Sequence, residues 1–280
     1  MDTLNALILG IVQGLAEYLP ISSSGHLEIF REILGLDLTG AESLEFDVML
    51  HVATVLSTIV VLWHEFWPLV RSFFTFRMDD NFRYVCKILV SCIPVGIVGV
   101  FFKDYIEGFF GTGLTIVGVC LLVTAALLCF SYYFRTRPSL EAKTAGRRQF
   151  RPTDITWADA IGMGLSQAVA VLPGLSRSGT TIATGILMGA RREAVAHFSF
   201  LMVIIPILGE ALLDIVKMLG HGSDAAITGT IPATSLIVGF LASFLVGCAA
   251  CKWMLNIVKK GKLVWFALYC AVVGILCIVF

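Results

Sequence analysis

The chain has 280 residues, of which 58% are hydrophobic and only 14% are charged, and its mean hydropathy is +0.89. A soluble domain is nearer half apolar and a quarter charged, so this composition excludes an ordinary soluble protein and indicates a polytopic membrane protein. The 20 Lys and Arg residues balance the 20 Asp and Glu residues, so net charge points to neither nucleic acid nor a polyanionic partner. The cysteines lie in apolar stretches, and the C-x-x-C pair of Cys248 and Cys251 is interpreted as structural.

The first apolar segment, residues 4–19, is shorter than the ~20 residues that span a bilayer. A break at 20–25 separates it from a second short helix at 26–35. This pattern predicts a re-entrant helix-loop-helix hairpin whose broken backbone is buried in protein or lines a watery cavity. No basic region precedes the segment, so we expect no removable signal peptide.

An acidic loop is predicted at 37–45, and beyond it the sequence predicts spans and a second re-entrant hairpin at 156–172 and 178–190. The predicted spans are 47–67, 85–102, 113–134, 194–216, 231–254 and 263–280. The basic loop 135–154 separates two halves, 1–134 and 155–280. The predicted fold class is therefore an all-α polytopic membrane protein with six transmembrane helices and two re-entrant hairpins.

The first half repeats in the second at a fixed offset of 154 residues, without a gap. Identical pairs include Gly10 and Gly164, Gln13 and Gln167, Ala16 and Ala170, Ser22 and Ser176, Ser24 and Ser178, Gly25 and Gly179, and Gly35 and Gly189. Each half has three predicted spans, an odd number, so the second half is predicted to be inverted relative to the first. Paired interruptions in such repeats indicate a binding site near the middle of the bilayer.

The distribution of positive charge predicts the orientation. If each hairpin returns to the side from which it enters, most of the 20 Lys and Arg residues fall on one face. The positive-inside rule makes that face cytoplasmic and puts both termini outside. The first hairpin then enters from outside and the second from inside, so their tips are expected to meet.

The two breaks concentrate the polar groups. The first carries Gln13 and Glu17, which share one helix face, followed by Ser22, Ser23, Ser24 and His26. The second carries Gly174, Ser176, Arg177, Ser178, Gly179 and Thr181. A charge at the depth of Arg177 is costly and marks a functional site by default. Helix N-termini and an arginine fork favour phosphate, so the pattern predicts an oxyanion site.

Each of these groups also has a structural interpretation. A serine at a break can cap the helix that follows it. Gln13 and Gln167 can hydrogen-bond between helices, Glu17 can be an interfacial charge, and His26 can be a satisfied interior histidine. Three other histidines have no clustered partners in the sequence and are assigned no role: His51, His64 and His197.

Two motifs resemble the signature regions of a known family. Q-G-L-A-E with Pro20 and S-S-S-G-H, and then P-G-L-S-R-S-G-T-T, are similar to the [E/Q]-x-x-x-E and P-G-x-S-R-S-x-x-T regions of the undecaprenyl-diphosphate phosphatase family, the bacitracin-resistance type. The resemblance covers nearly the whole chain. It implies an integral membrane hydrolase that converts undecaprenyl diphosphate to undecaprenyl phosphate and inorganic phosphate. Such an enzyme recycles the lipid carrier for cell-wall synthesis, confers bacitracin resistance, and lies in the bacterial cytoplasmic membrane with its site facing outside.

The resemblance also implies roles for individual residues. Those implied to be catalytic are Glu17, Ser23, His26 and Arg177. The nucleophile is Ser23 in preference to Ser24, or else a water, and His26 acts as general base or acid. Those implied to hold the diphosphate are Ser176, Ser178 and Thr181, together with Arg177. Four more residues are predicted from the breaks themselves to bind substrate: Ser22, Ser24, Gly174 and Gly179. A divalent metal, Mg²⁺ or Ca²⁺, is implied at Glu17 and Gln13, where Gln13 leaves Glu17 as the charged ligand. The expected partners are undecaprenyl diphosphate and membrane lipid, without nucleic acid, and a homodimer is left open.

Two competing interpretations stay open at the level of sequence. A secondary transporter or flippase of a lipid-linked or small phosphate anion also fits inverted repeats with broken helices. The type-2 phosphatidic acid phosphatases share the S-G-H sequence, but their K-x6-R-P motif and second His near an Asp are not in place. Phosphate release by protein in detergent, which has no second compartment, separates a hydrolase from a transporter.

Overall fold

A computed structural model describes residues 1–36, 38, 40–102, 105, 108, 113–133, 152–220 and 231–279. In these ranges the protein is built of α-helices, with one short 3-10 helix at Pro152–Asp154, which confirms the all-α prediction. The helices are α1 Thr3–Ala16, α2 Ser23–Ile33, α3 Gly40–Val61, α4 Trp63–Phe74, α5 Asp80–Phe101, α6 Leu114–Tyr133, α7 Trp157–Val169, α8 Arg177–Leu187, α9 Arg192–Met202, α10 Ile204–Gly220, α11 Ala233–Lys260 and α12 Val264–Val279. Residues 135–151 of the basic loop lie outside the described ranges.

Several helices are long and apolar enough to cross a membrane. In the described parts of the chain there are five such segments: Glu42–Val61, Asp80–Phe101, Leu114–Tyr133, Arg192–Leu213, which joins α9 to α10, and Ala233–Lys260. They account for five of the six predicted spans and confirm a polytopic membrane protein. The sixth predicted span, 263–280, corresponds to α12, whose 16 apolar residues are fewer than the ~20 of a full span.

The predicted span 194–216 is interrupted at Val203, where α9 gives way to α10. Pro206 lacks the N–H that would bond the carbonyl of Met202 in a continuous helix. The Cys92 thiol donates to that carbonyl instead, at 3.4 Å. Apolar residues continue across the break, so hydropathy alone predicted one uninterrupted helix.

The acidic loop predicted at 37–45 is wrong from residue 40 onward, because α3 begins at Gly40. Glu42 lies in the first turn of α3, where negative charge stabilises a helix N-terminus. The predicted span 47–67 also ends early, at Val61, and the separate helix α4 follows it. Helix α4 exposes Trp63 and Trp67 and buries Leu69, which is the pattern of a helix lying at a membrane interface.

Asp79 lies in the turn between α4 and α5. The Ser72 hydroxyl and the Phe82 backbone N–H both donate to its carboxylate, and these bonds lower the pKa of Asp79. Asp79 is thereby the N-cap of α5, a role that its short carboxylate side chain suits.

The two hairpins have matching bounds at the predicted offset. Helices α2 and α8 differ by 154 residues at both ends, and α1 and α7 differ by 154 at their starts. Both α2 and α8 begin after a serine cap, since Ser22 Oγ accepts from the Gly25 N–H and Ser176 Oγ accepts from the Gly179 N–H. The local structure of the hairpins follows the sequence repeat, while the inverted orientation of the halves and the domain boundaries stay predictions.

Helix α1 crosses α11 through small residues. A Cβ atom on Gly10 would lie 2.5 Å from the Gly239 carbonyl oxygen, and one on Gly14 would lie 2.7 Å from the Ser243 carbonyl oxygen. Small residues four apart allow this close approach of helix backbones in membranes. The crossing anchors the helix whose C-cap residue is Glu17.

We expect Gly14→Ala to lower the free energy of unfolding by about 1–3 kcal/mol, because the added methyl meets backbone atoms that cannot turn aside. Gly96→Ala is the matched control, since a Cβ there meets nothing within 4 Å and alanine favours a helix. Thermal unfolding in detergent, followed by circular dichroism, measures both. Wild-type stability of Gly14→Ala would contradict the close crossing.

Candidate active site

The tips of the two hairpins are in direct contact. The Ser178 hydroxyl donates to the Leu19 carbonyl at 3.2 Å. A Cβ atom on Gly179 would lie 3.1 Å from the Pro20 Cβ. The expected meeting of the two breaks is therefore observed, while their depth in the bilayer stays a prediction.

Gly174 and Gly25 are glycines because the tips pack so closely. Gly174 has φ +86°, a backbone conformation that residues with side chains rarely adopt. Its Cα lies 3.0 Å from where a Cβ of Gly25 would be, and a Cβ of its own would lie 2.7 Å from the Val117 Cα in α6. The structure thus gives Gly174 a packing role, and its binding of substrate stays a prediction.

Glu17 is the centre of the polar groups at the first tip. Its Oε2 accepts hydrogen bonds from Gln13 Nε2 at 3.0 Å and from Ser23 Oγ at 2.8 Å. Gln13 is one helical turn earlier on the same face, as its spacing predicts. Ser23 is brought back to the carboxylate because the chain turns between α1 and α2. The carboxylate side chain is only 8% exposed, so these donors replace most of its contact with water.

Two cationic or ionisable groups face the same carboxylate from other elements. Arg177 Nη2, on the first residue of α8, lies 3.9 Å from Glu17 Oε1. His51 Nε2, on α3, lies 3.7 Å from Glu17 Oε2. The other ring nitrogen of His51 bonds the Asp47 carbonyl at 2.7 Å, so Nε2 is the nitrogen turned toward Glu17. His51 was assigned no role from the sequence, although His51, Thr54 and Thr58 recur at helical spacing in an apolar span.

A small cavity that is partly open to the surface lies between the hairpins, α3 and the interrupted helix α9–α10. Four residues singled out from the sequence as catalytic or substrate-binding line it: Glu17, Arg177, Ser178 and Thr181. The other lining residues are Tyr18, Thr54, Val55, Thr58, Gln167, Ser199, Phe200, Val203 and Ile207. The wall therefore combines one carboxylate, one guanidinium and several hydroxyls with apolar side chains, which suits a phosphate group attached to an apolar molecule.

Hydroxyl groups from three helices are fixed around this cavity. The Tyr18 hydroxyl donates to the Thr54 carbonyl at 2.6 Å, and it lies 2.8 Å from Thr58 Oγ1. The Thr181 and Ser199 hydroxyl oxygens are 2.7 Å apart. Tyr18 and Ser199 were not singled out from the sequence. Tyr18 directly follows Glu17, but its hydroxyl is held by α3, and Ser199 meets Thr181 only because α9 packs against α8.

His26 is buried, and both of its ring nitrogens are hydrogen-bonded. Nδ1 bonds the Ser22 carbonyl at 2.8 Å, and Nε2 bonds the Tyr269 hydroxyl at 2.8 Å. The two rings stack with their centroids 5.6 Å apart. His26 is not among the described residues that line the cavity, and these contacts match the alternative of a satisfied interior histidine. Its catalytic role stays a prediction.

The remaining serines of the tips shape the backbone. Ser22 and Ser176 are buried N-caps, as the structural interpretation of these serines expects. Ser22 also has φ +71°, a strained value for a serine and one that tends to occur at functional sites. Ser24 Oγ lies 3.4 Å from Ser22 Oγ. A direct contact of Ser22, Ser24, Ser176 or Gly179 with substrate stays a prediction.

The residues around Glu17 fit a divalent cation that takes some of its ligands from the protein and the others from the substrate. The described residues contain no cluster of three or more His, Cys, Asp and Glu side chains, so a fully protein-held metal is not indicated there. Gln13 Oε1 is buried without a hydrogen-bond partner among the described residues, next to the Glu17 carboxylate. Mg²⁺ commonly keeps several waters and takes one or two carboxylates together with substrate phosphates. One carboxylate and one unused amide oxygen match that requirement.

Comparison with known proteins agrees with this geometry. The family model described as bacitracin resistance protein BacA matches residues 6–276, a range that includes both hairpins. The chain belongs to the BacA family. The undecaprenyl-diphosphatase of Bacteroides thetaiotaomicron is 57% identical to it over 279 residues, covering 100% of this chain and 99% of that protein. The undecaprenyl-diphosphatase of Parabacteroides distasonis is 56% identical over 278 residues, covering 99% of this chain and 98% of that protein.

More distant members keep the full length. The undecaprenyl-diphosphatase of Oceanobacillus iheyensis is 38% identical over 280 residues, covering 98% of this chain and 94% of that protein. The family resemblance predicted from the two hairpin motifs is thus confirmed, and it extends over nearly the whole chain. The type-2 phosphatidic acid phosphatases, which the S-G-H sequence suggested as an alternative, are set aside.

Proposed function

We propose that this BacA-family protein is a membrane phosphatase that hydrolyses undecaprenyl diphosphate to undecaprenyl phosphate and inorganic phosphate. Relatives at 56–57% identity over the full length carry the name undecaprenyl-diphosphatase. The structural observation that supports this most directly is Glu17, which has a serine hydroxyl at 2.8 Å and the guanidinium of the opposite hairpin at 3.9 Å. Glu17 and Arg177 both line the cavity, and Ser23 is hydrogen-bonded to Glu17, which supports roles as proton acceptor, anion-binding group and nucleophile for these three residues.

Substrate binding in this proposal rests on the second tip. Arg177 is the first residue of α8, so its guanidinium and the positive end of the helix dipole act on the same anion. The planar fork of arginine matches two phosphate oxygens at once. The prenyl chain leaves the cavity along its apolar wall, past residues such as Val203 and Ile207, toward lipid.

The chemical step begins at Ser23. Its hydroxyl already donates to Glu17 Oε2, so Glu17 is placed to take the proton as Ser23 Oγ attacks the terminal phosphorus. The bond from that phosphorus to the bridging oxygen breaks, and undecaprenyl phosphate leaves. Water then attacks the phosphoserine, the bond from phosphorus to Ser23 Oγ breaks, and Ser23 takes back the proton from Glu17 as inorganic phosphate leaves. This proposal gives the base role to Glu17 and leaves His26 to hold the tip through Ser22 and Tyr269.

Glu17 and Gln13 would hold the Mg²⁺ or Ca²⁺ ion. When bound there, such an ion offsets negative charge on the phosphate oxygens. The cytoplasmic membrane, with the cavity opening outward, is the proposed location, supported by the distribution of Lys and Arg along the sequence. The mechanism does not require a homodimer, which stays a prediction.

The function is tested with purified protein in detergent and undecaprenyl diphosphate, by measuring inorganic phosphate. We expect multiple turnovers without a second compartment. EDTA should lower the rate of phosphate release by at least about 100-fold, and adding Mg²⁺ or Ca²⁺ back should restore it. A well-folded preparation that binds substrate but releases no phosphate would favour the transporter. Full activity in EDTA would remove the metal from the proposal.

A further inference from the structure

Gln167 is a glutamine buried beside the candidate active site. It lies in the last turn of α7, is 0% exposed, and lines the cavity that contains Glu17 and Arg177. Neither its Oε1 nor its Nε2 has a hydrogen-bond partner among the described residues. Gln13, the residue at the equivalent position of the first hairpin, differs because its Nε2 is already used by Glu17.

An unpartnered polar group inside a protein is destabilising, and native structures rarely keep one without a reason. The structural interpretation of this glutamine is a hydrogen bond between helices, and the part of the chain that the structure describes contains no such bond. Gln167 lines a cavity whose other polar residues include Arg177, Ser178 and Thr181. A partner that arrives with the ligand is the simplest way to satisfy it.

The chemistry of a diphosphate matches the free amide. Phosphate oxygens accept hydrogen bonds and, when ionised, donate none, so they require donors. Arg177 supplies a charged fork, and the Gln167 amide adds two neutral N–H donors from a different helix. Donors on α7 and α8 together would fix the orientation of the diphosphate, which one arginine cannot do alone.

We propose that Gln167 is a substrate-binding residue whose Nε2 donates to a phosphate oxygen of the diphosphate. This assignment deepens the proposed function and rests on it. The Oε1 of the same amide is left to accept from a water in the cavity. The proposal adds a ligand from the second hairpin that lies outside the P-G-L-S-R-S-G-T-T motif.

The test compares three variants in the full-length protein. Gln167→Leu removes both polar atoms at similar volume, and Gln167→Glu keeps an acceptor but removes the donor. Thr180→Val is the matched control, because Thr180 Oγ1 is also buried without a partner among the described residues but does not line the cavity. Calorimetry measures the affinity for farnesyl methylenediphosphonate, a diphosphate analogue that is not hydrolysed, and circular dichroism measures thermal unfolding without ligand.

We expect Gln167→Leu to bind the analogue about 10- to 100-fold more weakly, as for a lost hydrogen bond to a charged group, while it unfolds at the same or a higher temperature. Gln167→Glu should bind at least as weakly, and Thr180→Val should bind like wild type. Wild-type affinity in Gln167→Leu or Gln167→Glu would overturn the assignment. Weaker binding accompanied by a lower unfolding temperature would also overturn it, since that result shows a structural residue.

The same preparations separate this inference from the proposed function. If the wild type binds the analogue but does not release phosphate from farnesyl diphosphate, the hydrolase proposal fails while the Gln167 result still tests anion binding. If the wild type hydrolyses and Gln167→Leu matches it in kcat and KM, only the Gln167 proposal fails.

Discussion

Arg177→Lys is expected to lower kcat/KM for undecaprenyl diphosphate about 100-fold, which is the usual cost of one misplaced donor to a developing phosphate charge. Lysine keeps the positive charge opposite Glu17, which lies 3.9 Å from the arginine, so the carboxylate does not lose its counter-charge. What lysine removes is the planar fork that can hold two oxygens of one phosphate. The loss therefore reports on the geometry of binding rather than on net charge.

The measurement is phosphate release in detergent over a range of substrate concentrations. Arg83→Lys is the control, because Arg83 is an exposed arginine whose ion pair with Asp80 is at the surface. Its kcat/KM should match wild type. If Arg177→Lys also matched wild type, a bidentate clamp at this position would be excluded.

Glu17→Gln is expected to lower kcat about 1000-fold, within the range for removing a general base. The amide has nearly the same volume and can still accept from Ser23, which donates to Glu17 at 2.8 Å in the native protein. It cannot take up the proton of that hydroxyl, and it is a poor metal ligand in place of a carboxylate. We therefore expect the fold to persist while turnover is lost.

Steady-state phosphate release and thermal unfolding are measured on the same sample. Glu32→Gln, an exposed carboxylate on α2 of the same hairpin, is the control and should keep full activity. A kcat within about threefold of wild type in Glu17→Gln would show that another group takes the proton, since removal of a working base costs at least about 100-fold.

Features set by neighbouring residues could be predicted from the sequence. The serine caps of α2 and α8 depend on turn chemistry within four residues, so the Ser22 and Ser176 positions indicate where each helix begins. The spacing of Gln13 and Glu17 likewise implies one helix face, and the two residues are hydrogen-bonded. The contact of the tips followed from the repeat and its odd number of predicted spans.

Features set by packing between distant segments could not be predicted in this way. His51 approaches Glu17 only because α3 packs beside the first hairpin, and the two residues are far apart in the chain. The interruption at Val203 depends on Pro206, whose effect in an apolar segment is hard to separate from a tolerated kink. His26 had a motif position that suggested catalysis, whereas Tyr269, its partner in the structure, lies almost at the other end of the sequence.

The central claim is that the tips of both hairpins act on one diphosphate, and a double-mutant cycle of Glu17→Gln and Arg177→Lys tests it most directly. The measured quantity is the single-turnover rate of phosphate release for the wild type, both single variants and the double variant. Residues in contact at one site are coupled, so the double variant should lose at least about tenfold less than the product of the two single losses. Losses that simply multiply would show that Glu17 and Arg177 act independently, and would contradict a single site built from both tips.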